Sequence, residues 1–278
     1  MADFRIDLDA YLAKIGFQGP RTPTLETLQQ IILSHQLSIP FENINSFSGL
    51  VVSIDPAEIE AKLLRRGRGG YCHEQNQYLY LALQALGFDV RLKMARVRWM
   101  QAPDATPQRG HMTLNVAADG KWYLCDVAFG AMTPTAPLLM STEAEQPTPH
   151  QTYRLVERDG DRHLEVRIGE HWRPVYSFDD ARFYPEDFQA ANWLVSTFPT
   201  SEFVTNLILA RPDKERRQIL NNADLTFRYN DGRIVKTTLE SIDQLRSTIT
   251  TMFGIKIPDN AQIDRALNRI FERARQPA

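Results

Sequence analysis

Chemistry concentrates in one stretch, Arg65-Arg66-Gly67-Arg68-Gly69-Gly70-Tyr71-Cys72-His73-Glu74-Gln75-Asn76. Its glycines permit a tight turn and a helical pattern follows at once, so Cys72 falls at or near a helix N-terminus. There the macrodipole and the free backbone N–H groups favour an anion, which activates a thiol as a nucleophile. The same N–H groups are suited to hold a developing oxyanion. A lone cysteine is more commonly a buried structural residue. The Gly-Gly turn and the polar flank of Glu74, Gln75 and Asn76 argue for chemistry instead. Two other chemistries are weaker. An Arg/Gly cluster can bind RNA, but in a chain of net charge −2 a local turn or ion-pair site fits better. His73-Glu74 begins like a zinc motif, yet Gln77 stands where the second histidine is needed.

A nucleophilic thiol needs a base. Of six histidines, His111 follows from strand geometry. If Asp119-Gly120 is a two-residue hairpin turn, Ala118 pairs with Lys121, Thr113 lies opposite Asp126, and His111 lies opposite Ala128. Opposed residues share a face and the strand period is two, so His111, Thr113 and Asp126 share one face. Diagonal neighbours stand ~7–8 Å apart at the backbone, within reach of an imidazole–carboxylate hydrogen bond. The same register puts Cys125 on the opposite face with Met112, Leu114 and Val116, as a core cysteine. Taken singly, His111 reads as a satisfied histidine at a sheet edge and Asp126 as an acid capping a turn. With Cys72 they make a nucleophile, a base and an orienting carboxylate.

The elements that must hold these residues change in texture along the chain. The first ~85 residues read as helical. Leu8, Tyr11, Leu12 and Ile15 are stopped by Gly16, and Leu25, Leu28 and Ile32 repeat the pattern. Asp55-Pro56-Ala57-Glu58 looks like a helix start with Asp55 as cap and Glu58 completing it. A helix from near Cys72 buries Leu79, Leu83 and Leu86 and ends at Gly87. From Asp89 to about Phe178 strands and turns follow. The apolar phase slips from Val90, Leu92 and Met94 to Ala95, Val97 and Trp99, which suggests a bulge. Asp159-Gly160 marks a second hairpin, and 133–149 reads as an irregular crossing. Asn230-Asp231-Gly232 joins two further strands, and helices follow around Ile249 and Leu267. The order predicts an α+β protein.

Composition narrows the class. The chain has 278 residues, 43% hydrophobic and 24% charged, ordinary for a globular protein and long enough for a sizeable core. With Lys+Arg 32 against Asp+Glu 34 there is no basic field for nucleic acid or acidic membrane. No apolar run approaches a bilayer span, and the N-terminus lacks the pattern of a signal peptide. Two cysteines exclude a disulfide scaffold and a Cys-rich metal module, so no metal is expected and a cytoplasmic location is.

The segment Arg68-Gly69-Gly70-Tyr71-Cys72-His73-Glu74-Gln75-Asn76 closely resembles the active-site signature of the arylamine N-acetyltransferases, as does Pro40-Phe41-Glu42-Asn43-Ile44 upstream. His111-Met112-Thr113-Leu114 and Asp126-Val127-Ala128-Phe129-Gly130 resemble the family's His and Asp blocks, and Pro199-Thr200-Ser201-Glu202-Phe203 its C-terminal cleft segment. The resemblance implies three parts: a helical bundle (1–87) carrying the nucleophile, a central antiparallel β-barrel (88–190) carrying His and Asp, and an α/β lid (191–278). It implies acetyl coenzyme A as donor substrate, no permanently bound cofactor, and an arylamine, hydrazine or N-hydroxyarylamine as acceptor. Cys72 is then the acetylated nucleophile, His111 the base and Asp126 the orienter. Thr200 contacts coenzyme A, the backbone at Gly110 approaches the acyl group, and Phe41 and Phe129 line the acceptor pocket. Glu42 and Arg68 pair as a buried ion pair. Two departures stand out. His73 replaces a residue that is commonly Phe and is expected to tune the thiolate or the acceptor pocket. Ala128 replaces a usual Gly, which matters only if the backbone there needs positive φ.

Other classes share these residues. An amide synthase would use the same triad on another acyl group or acceptor. A cysteine hydrolase or transglutaminase-like enzyme would work without coenzyme A. A binding module would retain the triad unused. A monomer and a homodimer both fit the sequence.

Overall fold

A computed structural model describes residues 4–102 and 104–273. The helical opening is α1 (Leu8–Ile15), α2 (Leu25–Ser38), a two-residue strand β1 (Phe41–Glu42), α3 (Ile44–Phe47), α4 (Pro56–Glu60) continued by a π-helical turn (Ala61–Arg65), and α5 (Cys72–Ala85). Local chemistry sets its ends. The Asp7 carboxylate accepts from Ala10 N at the start of α1, and Gly16 closes it in the left-handed conformation. Asp55 caps α4 through Ala57 N and Glu58 N, with Pro56 in its first turn. Glu58 does not complete that cap; its carboxylate pairs with Arg66, 3.1 Å away.

Eight strands follow: β2 (Asp89–Val97), β3 (Arg109–Ala118), β4 (Lys121–Cys125), β5 (Leu138–Leu139), β6 (Gln146–Pro147), β7 (Thr152–Arg158), β8 (Asp161–Ile168) and β9 (His171–Phe178). They form one antiparallel sheet in the order β5-β4-β3-β2-β9-β8-β7-β6, curled into a nearly closed barrel. At the β3–β4 hairpin Asp119 and Gly120 both have positive φ, +47° and +73°, as a type I′ turn requires. The register runs from Ala118 opposite Lys121 to Leu114 opposite Cys125, where β4 ends. The bulge lies between Ala95 and Arg96 of β2, with Gly110 as the extra residue on β3.

The last part contains α6 (Phe188–Thr197), α7 (Glu202–Thr205), β10 (Ile208–Pro212), β11 (Arg216–Asn221), β12 (Asp224–Tyr229), β13 (Ile234–Thr238), α8 (Ile242–Thr251) and α9 (Ala261–Arg273). Its sheet has the order β1-β10-β11-β12-β13, so the N-terminal part lends it an edge strand. Helix α6 runs across the boundary expected at 190, because its buried Phe188 and Ala191 pack on both sides of that point.

Three apolar clusters hold these layers. The helical bundle shares a core with Met112, Leu114, Val116 and Cys125 on the outer face of the barrel. Tyr153, Leu164, Val175 and Tyr176 fill the barrel interior. Leu209, Leu220, Leu245 and Phe253 lie between the second sheet and α8–α9. His111, Thr113 and Asp126 therefore face the barrel's inside while the bundle grips its outside.

Candidate active site

The loop before Cys72 is sewn to β1. Gly70 N donates to Pro40 O at 3.3 Å and Glu42 N to Gly70 O at 3.0 Å. Gly69 is required by close approach, since a Cβ there would stand 1.9 Å from the Pro40 carbonyl oxygen. A buried relay supports the loop from beneath. The Tyr11 hydroxyl meets His35 Nδ1 at 2.9 Å, and His35 Nε2 meets Gln75 Oε1 at 2.9 Å. Gln75 Nε2 then donates to Pro40 O at 3.0 Å and also to Gly70 O. Burial pulls His35 down to about 4 against the raising effect of its Gln75 bond, so it serves as a neutral spacer. Tyr71 precedes the helix, and the Glu74 carboxylate reaches back to accept from its N–H at 3.1 Å.

Charge is stored under this loop in a buried cluster of four. Arg68 grips Glu42 through two donors, at 2.7 and 2.9 Å. Lys62 bridges Glu74 at 2.5 Å and Glu42 at 3.7 Å. The fully buried Glu42 carboxyl is held below the usual range because Arg68 and Lys62 outweigh its desolvation; burial pushes Glu74 up. Glu42 and Arg68 are a feature implied by the resemblance, whereas Lys62 and Glu74 carried no such signal. Removing one member leaves an uncompensated buried charge, which typically costs ~3–5 kcal/mol. Arg68→Ala should fall near ~3 kcal/mol, the lower end, because Lys62 still faces Glu42. Urea denaturation of the variant measures this, and a loss under about 1 kcal/mol, the scale of a surface pair, would contradict it.

On the barrel side, His111 Nε2–H donates to Asp126 Oδ2 at 2.6 Å. The ionised carboxylate can only accept, so the ring's Nδ1 is the nitrogen left for another partner. Asp126 sits just past the end of β4, and its Oδ1 accepts from Ala128 N at 2.9 Å and Asn76 Nδ2 at 2.9 Å. Asn76 also donates to Met112 O and accepts from Val127 N, so one side chain four residues after Cys72 fastens α5 to β3 and to the segment that follows β4. Burial lowers the His111 imidazole, but the Asp126 charge and then the Cys72 sulfur outweigh it and raise it to about 10. Burial likewise works against Asp126, and the His111 charge still holds its carboxyl below the usual range. Cys125 is buried on the far face, its thiol pushed up by desolvation.

The nucleophile candidate and His111 meet at a cavity of about 380 Å³. Cys72, Gly110 and His111 form its floor, and Phe41, Trp99, Phe129 and Phe203 give it aromatic walls. The Cys72 sulfur is 4.0 Å from the Gly110 carbonyl oxygen. The C-terminal part contributes Val195, Ser201, Glu202 and Ile208. Gly110, Phe41 and Phe129 thus lie at the cavity. His73 does not: helical rotation turns it inward, fully buried, with Nε2 at 3.0 Å from Gly110 O. Thr200 is also absent from the wall and is exposed beside Ser201. Ala128 is not among the residues of positive φ, so its methyl group brings no strain. Trp99 and Asn76 are the residues whose part the sequence does not reveal. Among the described residues, no three His, Cys, Asp or Glu side chains converge as a metal site, and no helix is long and apolar enough to cross a membrane.

A family model described as N-acetyltransferase matches residues 24–263. The chain is 38% identical to the arylamine N-acetyltransferase of Mycobacterium tuberculosis, covering 98% of each. The chain belongs to the arylamine N-acetyltransferase family. Its relatives in that family extend to Escherichia coli, at 32% identity over 91% of this chain and 90% of that one. The solved M. tuberculosis arylamine N-acetyltransferase superposes with a TM-score of 0.90 at 37% identity, over 95% of this chain and 99% of the other. The Mycobacterium marinum arylamine N-acetyltransferase, solved in complex with CoA, gives 0.91 at 36% identity, over 96% and 99%. Family members are transferases, and the α+β architecture with its barrel is the family's fold.

Proposed function

We propose that this chain transfers an acetyl group from acetyl coenzyme A to the amino group of an arylamine, arylhydrazine or N-hydroxyarylamine, through an acetyl-Cys72 intermediate. The observation that carries this reading is the cavity floor. Cys72, at the first turn of α5, and His111, held from behind by Asp126, open onto one aromatic-walled space. The relative solved with CoA supports the donor, and the Phe41, Trp99, Phe129 and Phe203 walls suit a flat acceptor ring.

In the first half-reaction the Cys72 sulfur attacks the thioester carbonyl. Of the N–H groups in the first turn of α5, those of Glu74 and Gln75 are taken by the Tyr71 carbonyl, and those of Cys72 and His73 are offered to the developing oxyanion. As the tetrahedral adduct collapses, the coenzyme A sulfur leaves with the proton that His111 holds. His111 is then neutral, with its remaining proton on Nε2 fixed by Asp126 and Nδ1 bare. In the second half, the amine nitrogen attacks the acetyl carbon and gives its proton to Nδ1. The Cys72 sulfur leaves as a thiolate, and the imidazolium is restored. Asp126 keeps the ring in the tautomer that both halves need. Gly110 and the rim segment from Thr200 to Phe203 contact the coenzyme A arm.

Initial rates with donor and acceptor both varied should give parallel double-reciprocal lines. The intact protein mixed with acetyl coenzyme A alone should gain one acetyl group, located on Cys72. Intersecting lines and no mass gain would point to direct transfer in a ternary complex, or to another acyl donor.

A further inference from the structure

We infer that His73 is a positioning residue for this acyl transfer: by donating its Nε2–H to the carbonyl of the bulged residue Gly110, it fixes the bulge from which His111 is presented to Cys72. The inference rests on the reading of Cys72 and His111 as nucleophile and base.

Three observations carry it. The first is register. Ala95 opposes His111 and Arg96 opposes Arg109, so Gly110 has no opposite residue on β2. A residue of this kind loses its regular ladder partner, and its carbonyl is left to find a donor elsewhere. His73 Nε2 supplies that donor at 3.0 Å.

The second is the cost of using histidine here. The ring is fully buried, edge-on to Tyr71 and Phe188 at centroid distances of 5.6 and 5.8 Å. Its Nδ1 has no hydrogen-bond partner. An apolar ring would fill the space without an orphaned atom, so packing does not explain the residue; the bond from its other nitrogen does. Burial first, and the facing His111 charge second, pull His73 down to about 3, which leaves one proton, on the nitrogen that meets the carbonyl.

The third is competition at a shared oxygen. The Cys72 sulfur lies 4.0 Å from the same Gly110 carbonyl oxygen. Without the His73 donor, Cys72 serves that oxygen only by taking back the proton that His111 holds, at the expense of the thiolate. A thiol turned toward Gly110 is turned away from His111 Nδ1. Helix α6 leaves the bulge little room to relax, since Val195 Cγ1 stands 3.2 Å from where a Cβ on Gly110 would lie. Side chains 72 and 73 therefore meet at one peptide, His73 to hold it and Cys72 to react beside it.

The test compares His73→Phe with His73→Gln, whose amide nitrogen takes the place of Nε2. Misalignment of reacting groups by about an ångström can cost up to ~100-fold. In His73→Phe, kcat and the rate of Cys72 alkylation by iodoacetamide at pH 6 should both fall about ten- to a hundredfold. The acceptor KM should stay within about twofold, because His73 is not on the cavity wall. His73→Gln should recover most of the loss. In the wild-type protein with nitrogen-labelled histidines, NMR at pH 7 should show His73 protonated at Nε2 alone. Equal rates in wild type and His73→Phe, a Gln variant no better than Phe, or a ring protonated at Nδ1 would each overturn the inference. Should His73→Phe fail to fold, the Gln variant and the spectrum still decide. Alkylation and NMR need no acetyl donor, so they read His73 even if wild-type protein fails to acetylate Cys72, a result that would count against the proposed reaction alone.

Discussion

Cys72→Ala is expected to lower acetyl transfer by at least about 10⁴-fold, on the scale seen when a triad nucleophile is removed. The sulfur is the only cysteine side chain on the cavity wall among the described residues, and nothing beside it can take over covalent capture of the acetyl group. Fold should survive, because Cys72 joins a helix held to the barrel by Asn76 and to the loop at Pro40 by Gln75 rather than by the thiol. Cys125→Ala is the matched control. It deletes one buried sulfur from the face shared with Met112, Leu114 and Val116, and should cost about 1–2 kcal/mol of stability while leaving turnover nearly intact. Steady-state assays of both variants, with mass spectrometry after acetyl coenzyme A, separate the roles. Substantial turnover by Cys72→Ala would end the covalent mechanism.

The contrast between the two cysteines shows how much of the site is legible in the sequence. Parity along a strand is local, so one hairpin signal, Asp119-Gly120, places Cys125 in the core and His111 on a face with Asp126. Caps are local too, and the starts of α1, α4 and α5 lie where their polar and glycine residues put them. The phase slip after Met94 marks the bulge, but the sequence of β2 cannot say that its partner's extra residue is Gly110. That depends on the pairing of two strands. The same limit hides Asn76, whose three hydrogen bonds reach residues 36 to 51 positions away. It hides Lys62, which closes the charge cluster from a π-helical turn no local pattern announces. It also turns His73 from an expected cavity residue into a buried one, since a helix start fixes rotation but not which neighbour, Tyr71, Phe188 or Gly110, receives the ring. Strands β10 and β11 go unmarked because their pattern is interrupted by polar residues that packing buries, Arg217 and Gln218 among them.

Asp126→Asn is expected to lower kcat by about 10³–10⁴-fold with the fold largely kept, and the hydrogen-bond directions explain why. Asp126 Oδ1 accepts from two fixed donors, Asn76 Nδ2 and Ala128 N. An asparagine must offer its carbonyl oxygen to them, so its NH₂ replaces Oδ2 and faces His111. His111 Nε2 can then only accept, and its proton moves to Nδ1, the nitrogen that must be bare to receive the amine's proton. The charge changes with the tautomer. In the wild type His111 is raised to about 10, so its proton is present throughout the neutral range and is lost only as pH climbs toward that value. Any stability the proton confers has the same window, full below about 6.5 and fading up to about 10. Without the carboxylate, burial becomes the dominant influence and favours the neutral ring at pH 7. No cation then faces the Cys72 sulfur. Alkylation of Cys72 at pH 6 should be slower in the variant than in the wild type. The measurement is the pH profile of iodoacetamide labelling at Cys72, taken beside kcat and a melting curve for each protein. Unchanged low-pH labelling and unchanged kcat in a folded Asp126→Asn protein would mean that His111 takes neither its charge nor its tautomer from Asp126.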